Sequence, residues 1–487
     1  MTHYQTSLSD LLGELRQLNV RLRLNGGELK CDAPRGVLGP ELVERIREHR
    51  NSIVALLRSD RTPDAERWRA DIRLPEEICP VRRDEPAIAG KPDLLMTGAT
   101  GFLGGYLLTE LLNQCESNIH CLVRAGSRLA AESRIKAALE RNDLWRPEFH
   151  QRVRVVVGDL GQKHFGVSSA TYKKLIAETG KIIHNGAYVH HGLPYEQLKS
   201  VNVDGTRAAI EFACEAGVPL HYVSSLSVFP STPIASHSQY LESDPPGDVP
   251  APSGGYNLSK WVAEHLVFQA AERGLDATIY RPGPISGHSE TGEFNRDDFL
   301  QRLMQGYIQS GIAPDGQLLL DILPVDYVGR AIAWLSCQAG SDESSKPVAY
   351  HLFHPQPVSS DLVFEACQNA GYTISRVSYQ EWFAHLSRIV RQGETDHALY
   401  ALAALFSSRQ SEGAGAEAEP AAEIAPICFD DSRSRIALAT APFDPPILNA
   451  SLFQTYLRAL IRHGVVNPPL LHSAEDPQAT ELSKGDA

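Results

Sequence analysis

No apolar run in the 487 residues approaches about 18 in length, so the sequence offers no candidate for a membrane-spanning helix. Met1 to Asp10 is polar and carries no apolar core of the kind a secretory signal needs. Basic residues are the minority, 46 against 59 acidic, and a net charge of −13 gives the chain as a whole no electrostatic footprint for nucleic acid or acidic lipid. The eight cysteines (Cys31, Cys79, Cys115, Cys121, Cys214, Cys337, Cys367 and Cys428) include no CxxC pair. That scatter argues against a zinc site and against a disulfide framework, and it suits reduced, mostly buried thiols. Together these absences make the cytoplasm the expected compartment, with neither a nucleic acid nor a membrane as partner.

What is present is a globular composition, 43% hydrophobic and 22% charged, in a chain long enough for two or three domains. One stretch organises it. The apolar run Leu94-Leu95-Met96 enters Thr97-Gly98-Ala99-Thr100-Gly101-Phe102-Leu103-Gly104, and an amphipathic segment from Tyr106 to Leu112 follows at once. Three glycines spaced by three between a strand and a helix suit a bound dinucleotide. Gly98 permits the tight turn, Gly101 lets backbone approach a pyrophosphate, and Gly104 lets the helix pack on the strand, with the phosphates at the helix N-terminus. Without a ligand, the same pattern is an ordinary glycine-rich turn.

Residues 1–60 form a small unit of their own. Leu8, Leu11, Leu12, Leu15 and Leu18 recur at helical spacing, with Ser7 or Ser9 as cap. Val20, Leu22 and Leu24 then alternate with arginines, Asn25-Gly26-Gly27 supplies turn chemistry, and Leu29 with Cys31 continues the return strand of a hairpin. Pro40 opens a second helix through Leu42, Val43, Ile46, Ile53, Leu56 and Leu57. So small a module buries little surface and leaves an open strand edge, which can accept a partner peptide as an added strand. Residues 61–92, with five prolines among charged residues, suit a linker that wraps onto the next domain without regular structure.

From Asp93 strands and helices alternate, which predicts an α/β fold built on a doubly wound parallel sheet of the Rossmann type. The second strand, Ile119 to Val123, ends in Arg124, where NAD binding would call for a carboxylate on the ribose hydroxyl. A guanidinium there can hold a 2′-phosphate, with help from Arg134 on the next helix, so the expected cofactor is NADPH. Asp159-Leu160 after the third strand would border the adenine, and Asn185 and Ala187 close the fourth with small residues that permit close approach. His184, His190 and His191 have no partner at ligand spacing, and no metal is expected.

Strand Leu220 to Ser224 ends in Ser224-Ser225-Leu226-Ser227, and Tyr256-Asn257-Leu258-Ser259-Lys260 opens a helix about thirty residues on. A spacing of four puts Tyr256 and Lys260 on one helix face, where the ammonium is expected to favour the phenolate and make the tyrosine a proton donor and acceptor near neutral pH. A hydroxyl at the strand end can hold a carbonyl oxygen beside that phenol.

The combination resembles the extended short-chain dehydrogenase/reductase superfamily. Its pattern implies Ser225 as the catalytic hydroxyl, Tyr256 as the acid and Lys260 as the ribose-binding base, with Pro282 and Gly283 of Arg281-Pro282-Gly283-Pro284 facing the nicotinamide. Thr97 to Gly104, Cys121-Leu122-Val123-Arg124-Ala125, His184-Asn185-Gly186-Ala187, Tyr222-Val223-Ser224-Ser225 and Leu323-Pro324-Val325-Asp326-Tyr327-Val328 narrow the likeness to thioester reductase (R) domains of nonribosomal peptide synthetases, from about residue 75 to about 470. That family implies NADPH-driven reduction of an acyl thioester on the phosphopantetheine arm of a carrier protein, giving an aldehyde and, after a second hydride, an alcohol. Ser225 stands where these domains usually carry threonine, Gly186 replaces a usual alanine, and His190-His191 replaces a pair that is more often Asn and an aromatic. Tyr256 is retained, unlike in related domains that perform Dieckmann cyclisation. A nucleotide-sugar epimerase or dehydratase would keep the same triad, and a non-enzymatic NADP-binding scaffold would leave Tyr256 and Lys260 dispensable.

Residues 1–60 resemble TubC-type docking domains, notably in Cys31-Asp32-Ala33-Pro34-Arg35-Gly36, and the likeness implies binding of the tail of an upstream synthetase subunit. The remaining expectations are a Rossmann domain over 93–290 with 318–356 returning to it, and a mostly helical substrate lobe over 291–317 and 357–472. In that lobe Trp382, Phe383, Phe453 and Tyr456 serve as core, 407–420 makes a mobile excursion, and 473–487 is a disordered tail. No carrier or adenylating segment is found, so the acyl chain is expected to arrive in trans.

Overall fold

The computed structural model describes residues 20–25, 28–32, 39–48, 50, 68–81, 93–190, 193–229, 239–247, 251–252, 254–295, 298–315, 319–338, 347–394, 396–402, 406 and 428–469. The expected first helix over Leu8 to Leu18, the second helix beyond residue 50, the 407–420 excursion and the tail lie outside these residues.

The first unit holds a seven-stranded sheet. Its strands are β1 (Asp93–Thr97), β2 (Ile119–Val123), β3 (Val153–Val157), β4 (Thr179–His184), β5 (Leu220–Val223), β6 (Ala277–Pro282) and β7 (Val348–Leu352). All pair in parallel, in the order β7-β6-β5-β4-β1-β2-β3. The order reverses at β1, so the crevice beyond the C-terminal ends of β1 and β4 is where such a sheet takes a ligand. Burial on both faces explains the continuous apolar runs of β1 and β2.

Both faces are covered by helices: α1 (Phe102–Gln114), α2 (Arg128–Glu140), α3 (Ser169–Glu178), α4 (Gly205–Ala216), α5 (Gly255–Glu272) and α6 (Val325–Gln338). Leu107, Leu111, Ile135, Val328 and Ile332 build one core with α1, α2 and α6, and Phe212, Trp261, Val262 and Leu266 build the other with α4 and α5. The amphipathic spacing read from the sequence therefore serves two cores, one on each face of one sheet.

Residues 68–81 lie against the sheet unit, with one short helix beyond the irregular chain expected. Trp68–Asp71 forms a short helix, and the Trp68 ring meets Trp261 of α5 edge-on at 4.8 Å. Arg273 donates to the carbonyls of Leu74 (2.8 Å) and Ile78 (2.9 Å), and Asp71 accepts from Tyr195 (2.8 Å) and Lys199 (2.6 Å). A buried tryptophan and a bidentate arginine fix the segment where proline count alone suggested none.

Nearer the N-terminus, Arg21–Asn25 and Glu28–Asp32 pair as an antiparallel hairpin, with Asn25 opposite Glu28, as the Asn-Gly-Gly turn requires. Pro40–Glu48 is helical, with Leu42 and Ile46 buried.

The second unit comprises the described residues of 290–320, 358–406 and 447–469. It is mostly helical: Phe299–Ser310, Asp361–Asn369, Tyr379–Gln392 and Ala450–Arg462, with Ile312–Asp315 and Ser375–Ser378 as a parallel pair. Trp382, Phe453 and Tyr456 are buried in it and Phe383 half-buried. The described residues 428–446 group with the sheet unit. Cys428–Phe429 pairs with Gln239–Tyr240, and the buried carboxylate of Glu242 accepts from Arg433 N (2.6 Å) and Ser434 Oγ (2.5 Å). Among the described residues no helix is long and apolar enough to cross a membrane.

Candidate functional site

The glycine turn is built as its spacing required. Gly98 has φ +76°, and a Cβ there would lie 2.7 Å from the backbone of Asn185 and Gly186. Gly101 N donates to Gly98 O at 3.0 Å, and a Cβ on Gly104 would sit 1.9 Å from that same oxygen. No side chain caps α1 at Gly101, and its first turn carries no carboxylate. The helix thus presents its first N–H groups beside a cradle that any side chain would fill, and this suits the diphosphate of a dinucleotide.

Thr100, Phe102 and Leu103 line the turn half-buried. Thr97 faces inward: its Oγ1 accepts from Gly186 N (2.9 Å) and pairs with His184 Nδ1 (2.8 Å), locking β1 to the end of β4. His184 also meets Thr206 Oγ1 at 3.0 Å, and burial drives its pKa down to about 3, so it stays neutral in the core. Leu160 fills the space over Gly186, where a Cβ would come within 2.4 Å of Leu160 Cδ1. Asp159 Oδ1 accepts from Gly161 N (3.0 Å), and Asn185 and Ala187 stand half-buried after β4. Arg124 is exposed at the end of β2, and the Arg134 guanidinium donates to its carbonyl, tying two cations to one loop.

At the end of β5, Ser225 Oγ accepts from Ser227 N (3.1 Å) and Ser227 Oγ (2.9 Å), which directs its own proton elsewhere. Tyr256 is the second residue of α5, half-buried. Four residues on, the Lys260 Nζ donates to Val223 O at 2.6 Å and lies 4.3 Å from the Tyr222 ring centroid. The lysine thereby reaches the strand end two residues before Ser225. Pro282 closes β6 and Gly283 N donates to Leu352 O at 2.8 Å, which fixes that turn beside β7.

The charge relation between Tyr256 and Lys260 differs from the one expected. Burial pushes the Tyr256 phenol up to about 12 and draws the Lys260 ammonium down to about 7, Glu264 opposing the latter. Desolvation sets both shifts, so Tyr256 remains a proton donor across the neutral range.

This geometry has counterparts among known proteins. Residues 96–332 match the NAD-binding family described as Male sterility protein, and residues 8–59 match the TubC N-terminal docking domain. The terminal R domain from the myxalamid PKS-NRPS biosynthetic pathway is 34% identical, with a TM-score of 0.71 covering 82% of this chain and 98% of that one. The chain belongs to the R-domain family of reductases. A linear gramicidin synthase of Brevibacillus parabrevis is 38% identical over 289 residues, 59% of this chain, and glycine betaine reductase of Emericella nidulans is 33% identical over 337 residues, 68% of it. The matched chain spans only 6% and 25% of those two longer proteins. An R domain binds a nicotinamide dinucleotide through its Rossmann half.

Three residues of this R domain were not visible in the sequence. Asn202 lies in a π-turn, Ser200–Asp204, where it accepts from Tyr188 N (2.7 Å) and donates to Tyr188 O (3.1 Å) and Ser259 Oγ (2.9 Å). It thus ties the chain beyond β4 to the helix that carries Tyr256. Glu264 and Arg281, both fully buried, pair beneath the same helix. The one available hint was the position of Glu264, one helical turn beyond Lys260.

Proposed function

We propose that this R domain catalyses NADPH-dependent reductive release of an acyl or peptidyl thioester from a carrier protein, giving the aldehyde and optionally the alcohol. The observation that carries the reading is the reach of Lys260 from α5 to Val223 O, which joins the Tyr256 helix to the Ser225 strand end beside the glycine turn. The likeness to a terminal R domain supports it.

In this reading Thr97 to Gly104, Asp159, Leu160, Asn185, Ala187, Pro282 and Gly283 border the cofactor, and Arg124 with Arg134 meets the 2′-phosphate that distinguishes NADPH from NADH. When bound, the cofactor supplies the hydride. Ser225 donates its free proton to the thioester oxygen, and Tyr256, a phenol with its proton still on, donates to the oxyanion as the carbonyl carbon is reduced. As the tetrahedral adduct collapses, its hydroxyl proton returns to the Tyr256 phenolate and the thiolate, a good leaving group, departs. Lys260 holds the ribose and the local positive charge.

The docking module, residues 1–60, offers the edge of its hairpin to the tail of an upstream synthetase subunit, and the acyl-loaded carrier arrives in trans. Residues 93–290 with 318–356 form the cofactor domain, the helical unit takes the acyl chain, and the cytoplasm is the place of action.

The test is NADPH oxidation with an acylated carrier protein, the aldehyde trapped as a hydrazone, for wild type and Tyr256→Phe. Aldehyde formation with NADPH and a fall of about 10²- to 10⁴-fold in the variant are expected. Unimpaired turnover in the variant, or no oxidation with any loaded pantetheine arm, would sink the proposal.

A further inference from the structure

Two of the scattered cysteines meet on the sheet unit. α1 and α6 run in parallel and touch closely where a Cβ on Gly329 would lie 3.1 Å from Tyr106 Cβ. Cys115 follows Tyr106 by nine residues and Cys337 follows Gly329 by eight. At about 1.5 Å of rise per residue the two positions lie at nearly the same height along the helix pair. The two thiols are close enough to act on each other, and Lys181 acts on both.

The surroundings favour reaction at this pair. Cys337 is exposed on the last turn of α6, while Cys115 is half-buried at the C-cap of α1, its thiol 2.8 Å from Leu111 O. Two cations converge there. Lys181 donates to Ser336 O, and Arg152 donates to the carbonyls of Leu112 (2.7 Å), Ser117 (2.8 Å) and Cys115, which fixes the chain around the thiol. Positive charge offsets the negative ends of both helices and favours thiolate over thiol. Interaction with Cys115, with Lys181 behind it, draws the Cys337 thiol to about 6, whereas Cys337 and burial hold the Cys115 thiol well above its ordinary range.

We propose that Cys115 and Cys337 are a reversible dithiol site that peroxide converts to a disulfide joining α1 to α6. The Cys337 thiolate attacks one oxygen of hydrogen peroxide, the O–O bond breaks, and hydroxide leaves as Cys337 becomes a sulfenic acid. Cys115 then attacks that sulfur, the S–S bond forms as the S–O bond breaks, and the leaving hydroxide takes the Cys115 proton as water. Two thiols lose two protons and two electrons, and one peroxide becomes two waters. Glutathione or thioredoxin reverses the bond by thiol exchange, as suits a protein whose other thiols stay reduced.

This pair lies at the helix ends opposite the glycine turn, so the bond staples the fold without entering the reaction site. The test uses the full chain carrying Cys79→Ser and Cys428→Ser, which removes two exposed thiols able to link separate molecules. After stoichiometric hydrogen peroxide, non-reducing peptide mass spectrometry is expected to show the Cys115 peptide joined to the Cys337 peptide, two hydrogens lighter than their sum. The link should vanish in Cys115→Ser and in Cys337→Ser, and Tm should rise by about 5 °C until dithiothreitol reverses it. Cys337 found as sulfenic or sulfinic acid with no link to Cys115, or thiols unchanged by peroxide, overturns the proposal.

Discussion

Glu264 Oε1 lies 2.6 Å from Arg281 Nη2, and neither side chain has any exposure to solvent. The same carboxylate takes the Ser224 hydroxyl on Oε2, next to Ser225. Arg281 uses its other donors on Asp244 O (2.7 Å), Glu242 O (3.3 Å) and His351 Nε2 (3.0 Å). Glu264 is one turn beyond Lys260 and two beyond Tyr256, so one helix face carries all three. Replacing one partner strands a buried charge. Glu264→Gln should therefore cost about 3–5 kcal/mol of stability, and Glu264→Leu combined with Arg281→Met should cost less than the sum of the single changes. Urea unfolding of the wild type and these variants checks this; a loss under about 1 kcal/mol for Glu264→Gln would show that the pair holds nothing.

In the proposed mechanism reduction needs Tyr256 protonated and Lys260 charged. The phenol keeps its proton up to about 12, whereas the ammonium loses its own near about 7, so the lysine sets the break. The kcat/KM for reduction is expected to be flat below about 7 and to fall as pH rises through it. Lys260→Arg keeps its charge and should move the break upward even if the rate drops. An unmoved break in the variant would assign the titration to another group.

Gly104 and Gly105 are neighbours with opposite needs. A Cβ on Gly104 would meet the Gly98 carbonyl at 1.9 Å, backbone that no rotamer change can relieve, whereas on Gly105 the nearest atom is Leu139 Cδ2 at 3.6 Å. Gly104→Ala should lose about 1–3 kcal/mol and most of its NADPH binding. Gly105→Ala should be neutral or gain about 0.5–1 kcal/mol, because the helix interior prefers alanine. Paired urea and NADPH titrations distinguish them, and equal behaviour of the two variants would refute the cradle.

Arg124 tests the choice of nicotinamide. A charge-assisted hydrogen bond to a phosphate is worth about 1.5–3 kcal/mol, so Arg124→Ala should raise KM for NADPH by about 10- to 100-fold and leave that for NADH nearly unchanged. Equal effects on both cofactors would place the guanidinium elsewhere than on the 2′-phosphate.

Local chemistry was readable in the chain. Gly98, Gly101 and Gly104 fixed the turn by spacing, and strand–helix alternation gave the parallel sheet. The four-residue step from Tyr256 to Lys260 gave a shared helix face, but not the sign of their mutual effect, because spacing carries no measure of how much water burial removes. Asn202, the Glu264–Arg281 pair and the Cys115–Cys337 contact depend on residues brought together from distant segments. The Cys428–Phe429 strand likewise follows its partner Gln239–Tyr240 rather than its neighbours in sequence, which moved it out of the expected lobe.

The Trp68 segment sets a practical limit on swapping the N-terminal module. Because its indole and the Arg273 clamp hold down the outer side of α5, a swap that replaces the docking module must keep everything from Trp68 onward. A graft cut at Asp93, the obvious seam by motif, would peel the cover from the helix bearing Tyr256. Its turnover would suffer although the cofactor fold was left whole.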